Sequence, residues 1–135
     1  MRGVPTEQLD PIPIADRTYA FSLALIRAYR SQAPKDHADK VIWTQLLRSG
    51  TSAGANSAES GGAQSRADWL TRRFIALKEM RETLFWLRLY RDANSSSRPD
   101  ILRLIDESNQ LVAILTTIVK RARENRALPG SVDSR

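Results

Sequence analysis

The residues of this chain best suited to chemistry are cations. Arg66, Arg73, Arg81, Arg88 and Arg91 stand in one stretch, and at 100° per residue a helix would gather them into an arc of about 80°. Such an arc could form a row of phosphate contacts, because guanidinium forks match phosphate oxygens without reading base sequence. Leu70, Leu77 and Leu84 share the arc, so the same arginines could instead rim a subunit interface, covering it with their aliphatic stems. Lys120, Arg121, Arg123 and Arg126 form a second basic group that would extend the surface. Cations at a helix C-terminus are favoured by its dipole whatever the function, so this group is weaker evidence. No aromatic interleaving marks base stacking in either group.

Other candidate chemistry is sparse. Glu79 and Glu82 could serve as acid and base, but with arginines around them an ion-pair role is the simpler reading. His37, the sole histidine, has no nucleophile or orienting carboxylate beside it and reads as an exposed or capping residue. A carboxylate-bridged metal site in a bundle needs Glu-x-x-His on two helices and two further glutamates. The sequence contains no such pair. Gly50-x-x-x-Gly54 lacks the Gly-Lys-Ser/Thr of a phosphate loop. The expectation is a protein that is not an enzyme and carries neither metal nor cofactor.

At 135 residues, with 41% hydrophobic and 27% charged residues, the chain suits one soluble globular domain. Its net charge of +6 favours an anionic partner. The excess is concentrated: residues 65–98 carry +4, while 1–34 and 99–135 carry +1 each and 35–64 are neutral. No apolar run approaches the roughly 20 residues of a membrane span, and no membrane partner is expected. Met1 to Pro13 carries Glu7, Asp10 and three prolines where an export signal would have a basic start and an apolar core. Together with zero cysteines, this leads to the expectation of a cytoplasmic protein.

Four helices with no strand-like alternation would position these residues. Residues 1–13 read as a flexible N-terminal segment, 14–126 as the folded unit and 127–135 as a flexible tail with Pro129 and Gly130. The first helix is expected from about Asp16, as N-cap, to Ala33, with Phe21, Leu25, Ala28 and Tyr29 on one side. The second runs from about Asp36 to Gly61-Gly62. The third opens on Ser65 with Asp68 three residues on, a capping box, and reaches about Asp92. Asn94 to Ser97 is a loop, and the fourth runs from around Ser97–Asp100 to Arg126, with Pro99 in its first turn. Short connections predict an all-α, antiparallel up-down-up-down four-helix bundle.

Within the fourth helix Ile101, Ile105, Ser108, Val112, Leu115, Val119 and Ala122 form a seam, and Leu104, Leu111, Ile114 and Ile118 a second apolar row beside it. Leu84 to Leu87 with Leu89 and Tyr90 make the third helix apolar nearly all round. Apolar residues on more than one face suggest burial against another copy, and a homo-oligomer is expected. Gly50, Gly54 and Ala58 recur every four residues, with Ala53 and Ser57 on the adjoining row, giving the second helix a thin face. That face is expected to form the close side of a hairpin with the third helix. In an antiparallel hairpin turning near residue 63, Arg48 lies level with Glu79 and Gln45 with Glu82. A buried or half-buried ion pair follows, setting register more than adding stability.

The run Gln45-Leu46-Leu47-Arg48-Ser49-Gly50-Thr51-Ser52 with Gly54-Ala55-Asn56, then Ile75-Ala76-Leu77-Lys78-Glu79, Arg81-Glu82-Thr83 and Trp86-Leu87, resembles the bacterial four helix bundle protein family. Its members are encoded in intervening sequences of large-subunit ribosomal RNA genes or elsewhere in the chromosome. They are related to the accessory variability determinant (Avd) proteins of diversity-generating retroelements. The likeness extends over essentially the whole folded region and is densest from 45 to 90. It implies an antiparallel four-helix bundle and a pentameric barrel. For the retroelement relatives it also implies a basic surface used with nucleic acid and a reverse transcriptase. It implies no established activity for the intervening-sequence branch. Ala53 stands where the family often has a larger aliphatic residue, and Ser57 to Gly61 are smaller than in many relatives.

The leading expectation is an oligomeric bundle binding RNA or DNA through phosphate contacts, as an accessory to a reverse transcriptase or another nucleic-acid enzyme. The competing one is an interaction scaffold whose apolar faces bind only copies of itself or another protein.

Overall fold

The computed structural model describes residues 13–127, with side chains through 125. Four helices make up this region: α1 (Ile14–Arg30), α2 (His37–Ser60), α3 (Arg66–Asn94) and α4 (Pro99–Ala127). No strand occurs among the described residues. The expected terminal segments, 1–13 and 127–135, lie almost wholly outside the described residues.

Local chemistry accounts for most boundaries. The Asp36 carboxylate accepts from the Asp39 amide and starts α2, and the Ser65 hydroxyl accepts from the Asp68 amide and starts α3. Gly61 closes α2. Ser95 ends α3 in the left-handed region, φ 47°, where the Ser96 amide donates back to the Arg91 carbonyl. α1 differs from expectation at both ends. Its N-cap is Pro13, with no side-chain cap, and Asp16 sits in the first turn. There a carboxylate favours the helix through the dipole rather than through a capping bond. The helix stops at Arg30, before Ala33: the Ser31 hydroxyl takes the Ala28 carbonyl, and the Gln32 amide bonds only three residues back, to Tyr29.

Cross-helix contacts run antiparallel at every step. The Ser22 hydroxyl donates to the Gly50 carbonyl at 3.1 Å between α1 and α2, Arg48 meets Glu79 and Glu82 between α2 and α3, and Ser108 meets Met80 between α3 and α4. Arg17 reaches Glu107, and Arg98 reaches Ala28, between α1 and α4. The helices therefore close into a bundle around one core. Trp43 fills one end of it, packed edge-on against Tyr90 at 5.3 Å and tilted against Tyr29 at 5.6 Å.

α2 is thin on two sides. Toward α1, a Cβ on Gly50 would overlap Leu25 Cδ2, and one on Gly54 would sit 2.7 Å from Ser22 Oγ and 3.2 Å from the Thr18 carbonyl oxygen. Toward α3, Ser49 and Thr83, both fully buried, join hydroxyls at 2.7 Å. Thr83 gives its single proton to the Glu79 carbonyl, so Ser49 is the donor between them. Gly54 thus serves the α1 contact, while Gly50 serves α1 first and also borders Thr83 of α3 at 3.7 Å, so the expectation that the glycines thin the hairpin with α3 holds only for Gly50 and only in part. The row is also shorter than its spacing suggested, because Ala58 is exposed. Leu104 and Leu111 are buried in the same core as the α4 seam, so only Ile114 and Ile118 of the second row reach the surface.

The close approach of α1 and α2 predicts that Gly54→Ala destabilises the protein. Helix propensity alone favours alanine by about 1 kcal/mol, while overpacking against backbone typically costs about 1–3 kcal/mol. Urea unfolding should show a net loss, and a gain would mean the helices are not in contact there.

Candidate nucleic-acid interface

The arc of α3 that carries the arginines does not face solvent as a unit. Leu77, at its centre, is buried, and Leu70 and Leu84 pack partly into the core. α4 covers the middle of the arc, and the arginines are pushed to its margins in three different settings.

At the start of α3, Arg66 and Arg73 stack on the Trp69 ring at 5.6 and 5.3 Å. Burial pushes the Arg73 guanidinium down from its ordinary value. Midway, Arg81 shares a groove with Lys120 and Arg123 of α4, floored by Phe74, Leu77 and Val119, with Glu124 at its edge. Arg123 lies over the Phe74 ring at 5.0 Å. Toward the end, Arg81 and Arg88 flank Leu84, Phe85 and Leu89, while Arg91 pairs with Asp92 at 2.8 Å. Arg121 is exposed, but one residue beyond Lys120 it points away from the wall that Lys120 and Arg123 share. The Arg126 side chain lies outside those described. The structure therefore gathers Arg81, Lys120 and Arg123 along the α3–α4 surface, leaves Arg88 with Arg81 and Asp92 in a groove lined by α3 alone, and sets Arg66, Arg73 and Arg91 apart from them.

The ion pairs of the hairpin lie on its outer face. Arg48 donates to Glu79 at 3.3 Å and also to Glu82. Its side chain remains 48% exposed, against 21% for Glu79, so this is a rim bridge more than a buried one. Gln45 does not meet Glu82; it accepts from Arg48 Nε at 3.0 Å, because Arg48 takes the place between the two glutamates. The Trp86 indole donates to Glu82 at 3.0 Å. That bond and the Arg48 guanidinium hold the Glu82 carboxyl below its usual range. Arg48 thus bridges both glutamates, and the cluster ties α2 to α3 at this register.

Two polar clusters were not apparent in the sequence. Arg17 grips Glu107 through Nη2 at 2.6 Å and Nε at 3.0 Å. Arg98 donates to the Ala28 carbonyl, Ser31, Gln32 and Asp100, tying the end of α1 to the start of α4. Apart from Asp100, two residues from Arg98, and Gln110, 93 residues from Arg17, the partners named here stand 66–90 residues away, beyond any local spacing rule; the arginine beside Pro99 was the only signal. His37 is an exposed residue in the first turn of α2. No group of potential metal ligands occurs among the described residues, and no described helix is long and apolar enough to cross a membrane.

With this geometry established, the model of the 23S rRNA-intervening sequence protein family matches residues 12–117. The chain belongs to that family. Among solved structures, a protein of unknown function from the S23 ribosomal protein family of Bacteroides thetaiotaomicron is similar to it, with a TM-score of 0.70 and 34% identity. The match covers 79% of this chain and 98% of that one. No curated protein matches the chain significantly. The match thus spans the start of α1 to the middle of the last helix, including the α2–α3 hairpin on which the resemblance was densest.

Because Glu82 is stabilised as the anion in the fold, it contributes stability above the unfolded carboxylate range, near 4.5. That contribution is lost as pH falls through its depressed folded value. Glu82→Gln should therefore cost little at neutral pH, within about 1 kcal/mol for so exposed a bridge. It should also flatten the fall in stability between roughly pH 5 and 3. Thermal melts of the two proteins across that range check this, and parallel curves would exclude a role for the Glu82 charge.

Proposed function

We propose that this family member is a non-enzymatic, oligomeric bundle protein that binds RNA or DNA through phosphate contacts on the α3–α4 surface. The observation that carries the reading is the convergence of Arg81 from one helix with Lys120 and Arg123 from the next around a single groove containing one acid, Glu124. Arg88 continues the line along α3, and Arg121 adds charge on the neighbouring face. Sequence-independent binding follows from such contacts, with affinity set by counterion release. The partner enzyme fitting this reading is one that works on nucleic acid in the cytoplasm, a reverse transcriptase by analogy with the retroelement relatives.

Assembly belongs to the same proposal. Phe85 is 56% exposed and Leu89 39% exposed beside Arg81 and Arg88, and Val41 is exposed on α2. Large apolar side chains at the surface favour contact with other copies, and a pentameric ring, as the resemblance implies, would repeat the basic groove around an axis. The same residues support the second reading, a scaffold that binds only protein.

Fluorescence anisotropy with structured RNA and duplex DNA separates the two. With three phosphate contacts per subunit, raising salt from 50 to 200 mM should weaken binding roughly 40-fold. An Arg81→Glu, Lys120→Glu variant should lose binding while light scattering reports the same particle mass. Absence of binding at low salt by an oligomeric protein would leave the scaffold reading, and dissociation of the variant would assign these cations to the subunit interface.

A further inference from the structure

In sequence Phe85 is one of four apolar neighbours, Leu84 to Leu87. The fold separates them. Leu87 is fully buried and Leu84 and Trp86 pack partly against the core, while Phe85 stands 56% exposed. Trp86, anchored by its indole bond to Glu82, meets the Phe85 ring at 5.0 Å with the planes at 78°. A ring steadied by such a neighbour has already lost part of the rotamer freedom that binding would otherwise cost.

Cations flank this ring. Arg81 precedes Phe85 by four residues and Arg88 follows it by three, about 6 and 4.5 Å along the helix axis. With Leu84, Leu89 and Asp92 they line an open groove of about 310 Å³. Asp92, the acid of that groove, bonds to Arg91 and also feels the charge of Arg88. Neither Arg81 nor Arg88 has a hydrogen bond or ion pair among the described residues. Arg81 also lines the groove of Lys120 and Arg123, so the two grooves meet at Arg81 and a strand held by phosphate contacts in one is led onto the Phe85 ring in the other.

A second copy seated on Phe85 would confine two like charges with only an acid that is already bonded. A nucleic-acid strand instead brings a phosphate to each arginine and the flat face of a base to the ring. Bases in a duplex are stacked on one another and reach such a ring only by leaving the stack, whereas those of a single strand or loop are free to turn onto it.

We infer that Phe85 is a base-stacking platform, with Arg81 and Arg88 on the flanking phosphates, and that the nucleic acid taken by this surface is single-stranded. The inference rests on the phosphate-binding reading and narrows it. Contact between copies then falls to exposed apolar residues away from the groove, such as Val41 on α2 and Leu102 on α4.

The test uses the full chain and probes of equal length: a mixed-sequence DNA strand, the same strand annealed to its complement, and an abasic strand. A duplex carries denser charge than a single strand, so variants are compared on one probe at a time. Phe85→Ala should weaken single-strand binding roughly 5- to 150-fold, the range for losing one base–aromatic stack, and Phe85→Leu should lose nearly as much. Phe85→Tyr keeps the ring and should stay within about twofold. Affinity for the duplex and the abasic strand, and the salt dependence throughout, should not change, because no phosphate contact is removed. Equal losses on every probe, or no loss on the single strand, overturn the stacking role; in the latter case, salt-dependent binding that persists leaves the phosphate reading standing. Failure of the unaltered protein to bind any probe at low salt removes both. A fall in particle mass for Phe85→Ala assigns the ring to contact between copies and overturns the inference as well.

Discussion

The bundle depends on how thin α2 is. Gly50 and Gly54 let α1 approach until Ser22 bonds to the α2 backbone, and on the next row Ser49 and Ala53 are fully buried, with Ser49 bonded to Thr83 of α3. One helix therefore has two close neighbours, and small residues limit the steric cost of both contacts. The large side chains are displaced to the ends and to the far side, where Trp43, Tyr90 and the leucines of α4 fill the space that remains. Polar bonds at these contacts select register: a hydroxyl pair buried between helices loses its partner if either helix slides by one residue.

This packing decides the fate of the charges. Once α2 and α3 are locked, α4 covers the centre of the leucine–arginine arc of α3, and the arginines divide according to what covers their neighbours. Arg66 and Arg73 stack on Trp69, Arg81 joins the cations of α4, and Arg88 and Arg91 lie toward Asp92, to which Arg91 bonds. A stripe that is uniform in helical angle becomes three environments with different hydration and different partners. Only the middle one combines exposed cations from two helices, which is why it, and not the stripe as a whole, has the character of a phosphate-binding surface.

Much of the fold was legible along the chain. Ser65 with Asp68, Asp36, and the Gly61-Gly62 pair mark helix ends by bonds within a turn, and such bonds depend only on neighbours in sequence. Level positions in the α2–α3 hairpin follow from a short turn and a fixed rise per residue, which is enough to bring Arg48 to Glu79. The start of α1 was not legible because Pro13 caps it without a side-chain bond. The Arg17 and Arg98 clusters were hidden because their partners come from the opposite end of the chain.

By itself, then, the sequence determined that four helices form, where the loops between them fall, and that one helix carries a face thin enough for close contact. It also determined an excess of positive charge in α3. Only the tertiary structure decided that the closest neighbour of the glycines is α1, that Leu104 and Leu111 belong to the core, and that Arg73 is half-buried without an acceptor while Arg81 is joined by Lys120 and Arg123. The physical reason is that helical periodicity specifies the angle of each side chain about its own axis. Which neighbour occupies that angle, and how much water it leaves, is set by helices tens of residues away.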